Sequence, residues 1–441
     1  MSEIISAVST ANGVGGVAII RISGKGCLEL AKQMFYPLGK IEYTPNVMYP
    51  GEIDGGTFRD FGMLVYFKGP KSFTGEDTIE FHCHGGIAIT QGILRKSISL
   101  GARPATRGEF TKRAFLNGKL SLSGAEGLID MINSESNAQV KAGYSLYREK
   151  LNARILELQN ELTDALAEID ANIDYPEEGL EEFATDKLVN AINLCIKELT
   201  TLQATFVSGK KIKNGVKVAL VGRPNTGKSS ILNNLLCCDK AIVTPIAGTT
   251  RDIVEGEIEI KGIKFYLYDT AGIRECQDEV EKIGILRSKK IIEECDIVLV
   301  VYDGSQELIK EDEEILQSVT SPCIKVCNKS DIGVVIAKDK YDILYSAKNS
   351  DNEELLEKLF ELGVGSQDRI SADVLTEERH YIAITNALNS LIKARDSIGV
   401  LDLELIAYDI KDGWSYLGEI TGETASEAII DQIFKKFCVG K

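Results

Sequence analysis

Gly222-Arg223-Pro224-Asn225-Thr226-Gly227-Lys228-Ser229 fits the pattern G-x-x-x-x-G-K-S. A strand pattern precedes it and a helical pattern follows it, which is the context of a phosphate-binding loop. Its glycines let backbone N–H groups turn toward phosphate oxygens, and the N-terminus of the helix adds a favourable dipole. We therefore predict that Lys228 reaches the β- and γ-phosphates of a nucleotide and that the Ser229 hydroxyl ligates Mg²⁺.

The segment around this loop, about 211–366, alternates apolar strands with helical patterns. Strands that are apolar throughout and joined by helices indicate a mostly parallel, doubly wound α/β sheet. We predict strands at Lys217–Val221, Lys264–Tyr268, Ile297–Tyr302, Ile324–Cys327 and Ile343–Tyr345, and helices at Lys228–Leu236, Val280–Glu294, Glu311–Ser318 and Glu353–Leu362.

A second motif, Asn328-Lys329-Ser330-Asp331, ends one of the later strands. A carboxylate at this place can accept hydrogen bonds from N1–H and the 2-amino group of guanine. Adenine has neither donor and would leave the acid without a partner, which is costly. The motif therefore favours GTP over ATP. Ser346-Ala347-Lys348, after the last strand, is similar to a loop that closes over the base.

Two segments between these motifs predict the switch regions. Asp269-Thr270-Ala271-Gly272 ends a strand, where a carboxylate would hold Mg²⁺ through water and a glycine N–H can meet the γ-phosphate. A threonine in the loop Thr244–Asp252 would complete the Mg²⁺ shell until hydrolysis. Ras-like enzymes orient the attacking water with a glutamine after that glycine. Ile273 stands there instead, so another group must act, and carboxylates lie nearby at Asp278, Glu279 and Glu281.

The regions on either side have different patterns. Residues 1–118 hold short strand patterns between Gly and Pro turns, which predicts a small α+β domain. Leu151–Ile173 carries apolar residues at three- and four-residue steps, and 371–441 is also helical in pattern. Because long apolar stripes must pack on other helices, we expect 119–210 and 367–441 to form one discontinuous helical-bundle domain. The Ras-like domain, 211–366, would be inserted into it.

The composition is that of an ordinary soluble protein, with 441 residues, 44% hydrophobic, 26% charged and a formal net charge of −16. No apolar run reaches the ~18 residues of a membrane helix, and the N-terminus lacks the pattern of a signal peptide. We therefore expect a cytoplasmic protein without membrane contact. The ten cysteines form no C-x-x-C pair, and we expect reduced, mostly buried thiols except at Cys438.

The charge is unevenly distributed along the chain. Residues 1–118 carry 13 Lys/Arg and 10 Asp/Glu, a net of +3, and Glu109 is the one acidic residue in 95–119. This stretch is either an anion-binding surface or a solvated face. Its cations are Arg95, Lys96, Arg103, Arg107, Lys112, Arg113 and Lys119.

Several motifs lie outside the nucleotide-binding segment. They are Arg21-Ile22-Ser23-Gly24, Phe73-Thr74-Gly75-Glu76-Asp77, His84-Gly85-Gly86, Arg103-Pro104, Gly108-Glu109-Phe110-Thr111, Arg113-Ala114-Phe115-Leu116-Asn117-Gly118-Lys119 and Cys438-Val439-Gly440-Lys441. Together with the nucleotide motifs, they closely resemble those of the MnmE (TrmE) tRNA-modification GTPases, over essentially the whole chain.

The resemblance implies a folate-binding N-terminal domain through which the protein forms a homodimer. It also implies K⁺-stimulated GTP hydrolysis that drives opening and closing of paired G domains. With a flavin-dependent partner, MnmG (GidA), the protein would add an aminomethyl or carboxymethylaminomethyl group to C5 of the wobble uridine of certain tRNAs. A 5-formyl- or methylene-tetrahydrofolate would supply the one-carbon unit, and FAD would sit on the partner only. The assembly would be a heterotetramer or larger.

Roles of single residues also follow from the resemblance. Glu281 matches the glutamate that orients the attacking water, and Lys228 would share in catalysis. Mg²⁺ would be held by Ser229 and Thr250, K⁺ by Asn225, Thr244, Ile246 and Thr249, and the folate by Arg21, Glu80, Lys119 and Lys441. The GTP-binding set is Asn225, Thr226, Gly227, Lys228, Ser229, Ser230, Thr244, Thr249, Thr250, Asp269, Thr270, Ala271, Gly272, Asn328, Lys329, Asp331, Ser346, Ala347 and Lys348.

Cys438 matches the C-terminal cysteine of the family. It is either a catalytic thiol, whose thiolate Lys441 could favour, or a structural or positioning residue. The chain departs from the family at Val14, where an Arg is common, and at Ser121, where Asp is frequent. His82-Cys83-His84 has the composition of a metal site, but consecutive strand residues alternate faces, so we do not expect a metal there.

Two other functions remain open at this point. One is an Era- or Der-like ribosome-assembly GTPase without modification chemistry. Such proteins carry a C-terminal RNA-binding module, whereas 371–441 contains 7 Lys/Arg against 12 Asp/Glu, which is poor for phosphate contacts. The other is a folate-dependent methyltransferase-type enzyme with a regulatory GTPase, which would act without a flavoprotein.

Overall fold

The computed structural model describes residues 3–174, 181–237, 256–269, 294–349, 352–365 and 374–441. By their internal contacts these residues divide into two compact units. One comprises 1–129, 145–193 and 389–441, and the other 130–144 and 194–388. The three-domain division expected from the sequence stays a prediction. Within the described residues, no helix is long and apolar enough to cross a bilayer.

The first unit contains a seven-stranded sheet in the order β3-β4-β5-β6-β2-β1-β7. The strands pair antiparallel, except that β1 and β7 are parallel. They are β1 (Ile5–Val8), β2 (Gly15–Ser23), β3 (Phe35–Pro37), β4 (Met48–Asp54), β5 (Arg59–Phe67), β6 (Thr78–Gly85) and β7 (Arg103–Pro104). This confirms the α+β prediction for the N-terminal region.

Helices accompany this sheet and follow it along the chain. They are α1 (Cys27–Lys32), α2 (Ile87–Ser99), α3 (Glu109–Leu116), α4 (Leu122–Asn133), α5 (Asn137–Tyr147), α6 (Lys150–Asp174), α7 (Glu181–Ala204) and α8 (Phe206–Asn214). Leu30 of α1 and Ile93 of α2 pack with Ile20 and Phe81 in one apolar core. Alternate residues of β2 and β6 are buried, so Ile20 and Phe81 point to the same face of the sheet.

The second unit is built around a six-stranded sheet in the order β13-β12-β11-β8-β10-β9. All neighbours pair parallel except β9 and β10. Its elements are β8 (Val216–Val221), α9 (Lys228–Leu236), β9 (Gly256–Ile260), β10 (Ile263–Asp269), β11 (Ile297–Asp303), α10 (Lys310–Ser318), β12 (Cys323–Asn328), β13 (Ile343–Leu344) and α11 (Glu353–Val364). After them come α12 (Glu378–Ser397), α13 (Leu403–Thr421) and α14 (Glu427–Lys435).

Both faces of this second sheet are covered. Val218 and Leu220 pack with α9 and α11 on one face, and Ala219 and Val221 pack with Tyr302 on the other. Strands buried on both faces read as continuous apolar runs, which is why the sequence predicted them within one or two residues. The antiparallel strand β9 was not predicted, although Gly-Glu-Ile-Glu-Ile alternates polar and apolar residues as a half-buried strand does. The predicted helix Val280–Glu294 lies outside the described residues, apart from Glu294.

Segment 130–144 belongs to the unit of the nucleotide-fold sheet. Ala138 and Ala142 lie in the sheet's apolar core, and Lys264 of β10 pairs with Glu135 at 2.6 Å. Asp130, at the end of α4, lies 2.8 Å from the Lys213 ammonium, which also pairs with Glu377. Burial and repulsion from Glu377 raise the pKa of Asp130 to about 7, against the attraction of Lys213.

We predict that Asp130→Asn changes the pH dependence of stability. A raised folded-state pKa means that the native protein binds this proton more tightly than the unfolded chain. The stability from this carboxyl is therefore full below about pH 4 and is lost as the pH rises to 7. Relative to wild type, the variant should gain roughly 1–3 kcal/mol between pH 5 and pH 8 in urea unfolding.

Asp186→Asn, a change of the same chemistry at an exposed position, provides the control and should show no such trend. A parallel pH profile for Asp130→Asn and wild type would contradict the predicted proton uptake.

Candidate nucleotide-binding site

The phosphate loop connects β8 to α9 and takes a backbone conformation suited to surrounding an anion. Asn225 has φ 62° and Gly227 has φ 94°, both in the left-handed region. A Cβ at Gly227 would collide with the Asn328 side-chain amide, so glycine is required for the close approach of the two segments. The loop therefore rests directly on the strand end that carries the second motif.

Lys228 is buried at the first position of α9. Its ammonium donates hydrogen bonds to the carbonyls of Gly222 at 2.9 Å and Arg223 at 2.8 Å. These bonds hold a positive charge inside the loop at the N-terminus of a helix. This is the arrangement that attracts phosphate oxygens.

Ser229 and Asp269 are brought together from the phosphate loop and the end of β10. The Ser229 hydroxyl donates to the Asp269 carboxylate at 2.8 Å. A hydroxyl and a carboxylate beside a phosphate loop are the oxygen donors that Mg²⁺ prefers, so the residues present fit this ion. The sequence separates these two residues by 40 positions, and only the parallel pairing of β10 with β8 joins them.

Asn328 joins three loops at the carboxyl edge of the sheet. Its amide N–H donates to the Thr226 carbonyl at 2.8 Å, and its amide oxygen accepts from the Ala347 N–H at 3.1 Å. The side chain is buried. Asn328 therefore positions the phosphate loop and the base-closing loop relative to each other.

Lys329 and Asp331 are each held by a neighbouring segment. The Lys329 ammonium lies 2.7 Å from Asp303, the last residue of β11. Burial opposes charge on Asp303, but Lys329 and hydrogen bonds from Ser305 hold the pKa of its carboxyl below the ordinary value. The Asp331 carboxylate accepts from the Ser346 hydroxyl at 2.9 Å, so the predicted base-reading acid is aligned by the predicted base-closing loop.

Two residues that sequence reasoning missed, Asp303 and Asp312, also shape the site. Asp303 anchors Lys329, and its place at the carboxyl end of β11 is the signal that could have found it. Arg223 of the phosphate loop pairs with the buried carboxylate of Asp312 at 2.8 Å. Asp312 also accepts from the Ile309 N–H at 3.0 Å, which fixes the start of α10.

Part of the predicted site lies outside the described residues. The residues concerned are Thr244, Ile246, Thr249, Thr250, Thr270, Ala271, Gly272 and Glu281, together with the other carboxylates near Ile273. Their assignments to GTP, Mg²⁺, K⁺ and the attacking water stay predictions.

Arg21, Glu80, Lys119 and Lys441 are the four residues assigned to folate. They lie near α3 or near the loop between β5 and β6, which contains Phe73 and Gly75. The Arg21 guanidinium pairs with Glu80 at 2.8 Å and lies over the Phe73 and Phe110 rings. The Lys441 carbonyl accepts from the Phe110 N–H at 3.2 Å. Lys119 is exposed, and its side chain lies beside Gly75. Burial opposes charge on Glu80, but His82 and Arg21 lower the pKa of its carboxyl.

Many cations of the basic stretch 95–119 are neutralised by carboxylates. Arg103 pairs with Glu109 at 2.6 Å, Arg113 with Glu76 at 2.9 Å and Lys112 with Asp431 at 2.6 Å. The stretch is therefore less electropositive than its composition suggests. Of the two interpretations of this stretch, a face of paired and solvated charges describes most of it.

The C-terminal residues pack against N-terminal residues of the same unit. The Cys438 carbonyl accepts from the Gly108 N–H at 3.4 Å, and the Gly440 carbonyl accepts from the Ser9 hydroxyl at 3.0 Å. The Cys438 thiol is exposed, as the sequence led us to expect. We also expected buried thiols at the other cysteines, and this was wrong for Cys237. Cys237 is the residue that follows the last turn of α9, and its side chain is exposed to solvent.

The His82-Cys83-His84 segment alternates faces as predicted. His84 pairs with Asp60 at 2.7 Å, and His82 lies 3.4 Å from Glu80. Cys83 points into the apolar core on the other face, where burial raises the pKa of its thiol to about 12.

Two family models match the chain. The one described as the MnmE helical domain matches residues 122–438, and the one described as the GTP-binding protein TrmE N-terminus matches residues 4–119. The chain is 40% identical over 457 residues to the tRNA modification GTPase MnmE of Natranaerobius thermophilus, covering 100% of this chain and 99% of the relative. It is 39% identical over 461 residues to the tRNA modification GTPase MnmE of Clostridioides difficile, covering 100% of both chains.

A solved structure, the G domain of the T. maritima FeoB iron transporter, is 28% identical to this chain. It covers 33% of this chain and 98% of its own, with a TM-score of 0.24.

We predict that Asp331→Asn changes which base the site binds. The amide can no longer accept from both guanine donors, so GTP affinity should fall about 100-fold. Xanthosine triphosphate, whose 2-oxo group can accept from the new amide, should bind better than it does to wild type. Titration of fluorescent nucleotide analogues measures both. Asp339→Asn, an exposed aspartate eight residues on, should bind GTP as wild type does, and an equal loss in that control would contradict base reading.

Proposed function

The chain belongs to the tRNA modification GTPase MnmE family and is a GTP hydrolase, and we propose that it drives a tRNA-modifying assembly. In this assembly a flavin-dependent MnmG (GidA) partner and the chain add an aminomethyl or carboxymethylaminomethyl group to C5 of the wobble uridine of certain tRNAs. The observation that supports the proposal is the packing of Cys438–Lys441 against Gly108 and Phe110. The Phe110 ring in turn lies under the Arg21 guanidinium, which pairs with Glu80, so motifs that are far apart in sequence lie in the same unit.

GTP hydrolysis itself would depend on a monovalent cation. Asn225 is exposed at the left-handed turn of the phosphate loop, where its amide oxygen can ligate K⁺ together with Thr244, Ile246 and Thr249. A cation there supplies the positive charge that an arginine finger supplies elsewhere. Ser229 and Thr250 would hold Mg²⁺, and Glu281 would orient the attacking water in place of the missing glutamine.

The folate would bind between α3 and the loop that contains Phe73. The half-buried Phe73 ring offers apolar contact to a planar heterocycle, and Arg21 and Glu80 offer a paired donor and acceptor. Lys119 and Lys441 would meet the glutamate carboxylates of a 5-formyl- or methylene-tetrahydrofolate. Because Arg103 and Arg113 are already paired, these two lysines carry more of the electrostatic attraction than the composition suggested.

The remaining parts of the proposal concern assembly. The chain would form a homodimer through residues 1–118 and act with MnmG, which carries FAD, as a heterotetramer or larger assembly in the cytoplasm. Residues 119–210 and 367–441 would be the helical domain and 211–366 the GTPase domain. Because the chain has a net charge of −16, most contacts with tRNA phosphates would come from the partner.

The position of Cys438 is consistent with this proposal, because its backbone is hydrogen-bonded to Gly108 near the residues assigned to folate. Its exposed thiol lies on the tail that also carries Lys441. A catalytic thiol and a positioning residue both remain compatible with that place. The family models match residues 4–119 and 122–438, and the relatives cover the whole chain, which favours the modification GTPase over the Era- or Der-like alternative.

We predict that GTP hydrolysis by the purified chain is at least about tenfold faster in K⁺ than in Na⁺ buffer, because the proposed K⁺ would offset the charge that develops on the phosphates during hydrolysis. Glu281→Ala should bind nucleotide normally and hydrolyse it at least about 100-fold more slowly. Phosphate release measures the rates, and nucleotide titration measures binding. Equal rates in both salts, or an unimpaired variant, would exclude the cation mechanism.

A further prediction concerns the folate site. Gly440 has φ 97°, and a Cβ there would collide with the Val8 carbonyl. Gly440→Ala should displace the tail and weaken 5-formyl-tetrahydrofolate binding about tenfold or more in calorimetry, while GTP hydrolysis is unchanged. Gly399→Ala, also at positive φ but in open space, should bind folate as wild type does. Unaltered folate affinity in Gly440→Ala would argue against a folate role for the tail.

A further inference from the structure

The turn between α12 and α13 exposes an apolar surface that neither the nucleotide site nor the folate site uses. Four side chains form it, which we call the apical patch. Their exposed fractions are 78% for Val400, 45% for Leu401, 53% for Leu405 and 63% for Tyr408. Single exposed apolar residues are ordinary, but a contiguous group rimmed by polar residues is typical of a binding surface.

The apical patch lies on the outer face of a helix whose other face is already packed. Ile406, Ile410 and Leu417 are buried on the inner face of α13. Leu405 and Tyr408 lie three residues apart on the other face of the helix, and Leu401 precedes its first residue. A helix that packs once within its unit needs one apolar stripe, and the second stripe is not explained by the fold of the described residues.

The helix that carries the patch is rigidly attached. The Trp414 indole N–H donates to the Thr163 hydroxyl of α6 at 3.1 Å, and the Gln159 amide donates to the Trp414 carbonyl at 3.3 Å. Lys393 of α12 pairs with the buried carboxylate of Asp409 at 2.7 Å. A surface held in this way loses little conformational entropy when a partner binds.

Charge around the patch limits what can cover it. Acidic side chains neighbour the four apolar residues along the chain at Asp402, Glu404 and Asp412, with Lys411 as a basic neighbour. Nucleic acid phosphates would be repelled by this rim. A second copy of the chain, facing itself across a two-fold axis, would oppose the same carboxylates. A protein surface with apolar residues flanked by Lys and Arg fits both the centre and the rim.

We infer that the apical patch is a docking surface for a protein partner with an apolar patch rimmed by basic residues. Resting on the function proposed above, we assign this role to the flavin-dependent partner. The patch lies at the α12–α13 turn, within the first unit. Leu405 and Tyr408 would be the central contacts, and the rim would orient the partner.

The experiment compares full-length chains in a binding titration against the purified flavin-dependent partner. The double variant Leu405→Ser, Tyr408→Ser should bind at least about tenfold more weakly, with unchanged thermal unfolding and unchanged GTP hydrolysis. Val207→Ser, at a position 66% exposed on α8, is the matched control and should bind normally. Glu404→Lys should weaken binding about threefold at low salt, and the difference should vanish at high salt.

Each outcome decides the inference. Wild-type binding that the double variant retains would overturn the docking surface and leave the proposed function standing. No binding by wild type would overturn the partnership and the docking surface together. If the double variant instead abolished a concentration-dependent self-association of wild type, the occupant would be a second copy and the assignment would be wrong.

Discussion

The buried amide of Asn328 is the interaction on which the nucleotide site depends. It donates to the phosphate loop at Thr226 and accepts from Ala347 of the base-closing loop. Losing it would leave the buried Thr226 carbonyl without this partner, which costs roughly 1–3 kcal/mol, and would free the partly buried Ala347 N–H. Gly227 is required for the same reason, since any Cβ would separate the loop from the amide. One side chain thus fixes the distance between the phosphate end and the base end of the site.

The parallel sheet makes this arrangement possible. β8, β10, β11 and β12 all end at one edge, so the residues that follow them meet there. Ser229 reaches Asp269, and Lys329 reaches Asp303, across neighbouring strand ends. Segment 130–144 packs against the same unit through Ala138 and Lys264. The stability of the nucleotide fold therefore includes residues that the sequence pattern attributes to a helical region.

A different constraint governs the N-terminal site. The chain terminus is docked beside Gly108 and Ser9, which places Lys441 next to Phe110. The close approach of Gly440 to the Val8 carbonyl leaves no room for a side chain. Ion pairs such as Arg113–Glu76 hold α3 against the loop that contains Phe73. The candidate folate site is therefore assembled from three separate parts of the chain.

The sequence by itself determined the features that rest on local pattern. The phosphate loop, the base-reading segment and the apolar parallel strands follow from fixed spacing and continuous hydrophobicity, and the family follows from motifs along the whole chain. Only the tertiary structure decided which charges are paired and which thiols are exposed. Arg103 and Arg113 read as free cations in sequence, but carboxylates from other segments neutralise them. The tertiary structure also decided that β9 pairs with β10 and that segment 130–144 packs in the core of the second sheet. Local alternation and helical periodicity do not specify the partner against which a segment packs.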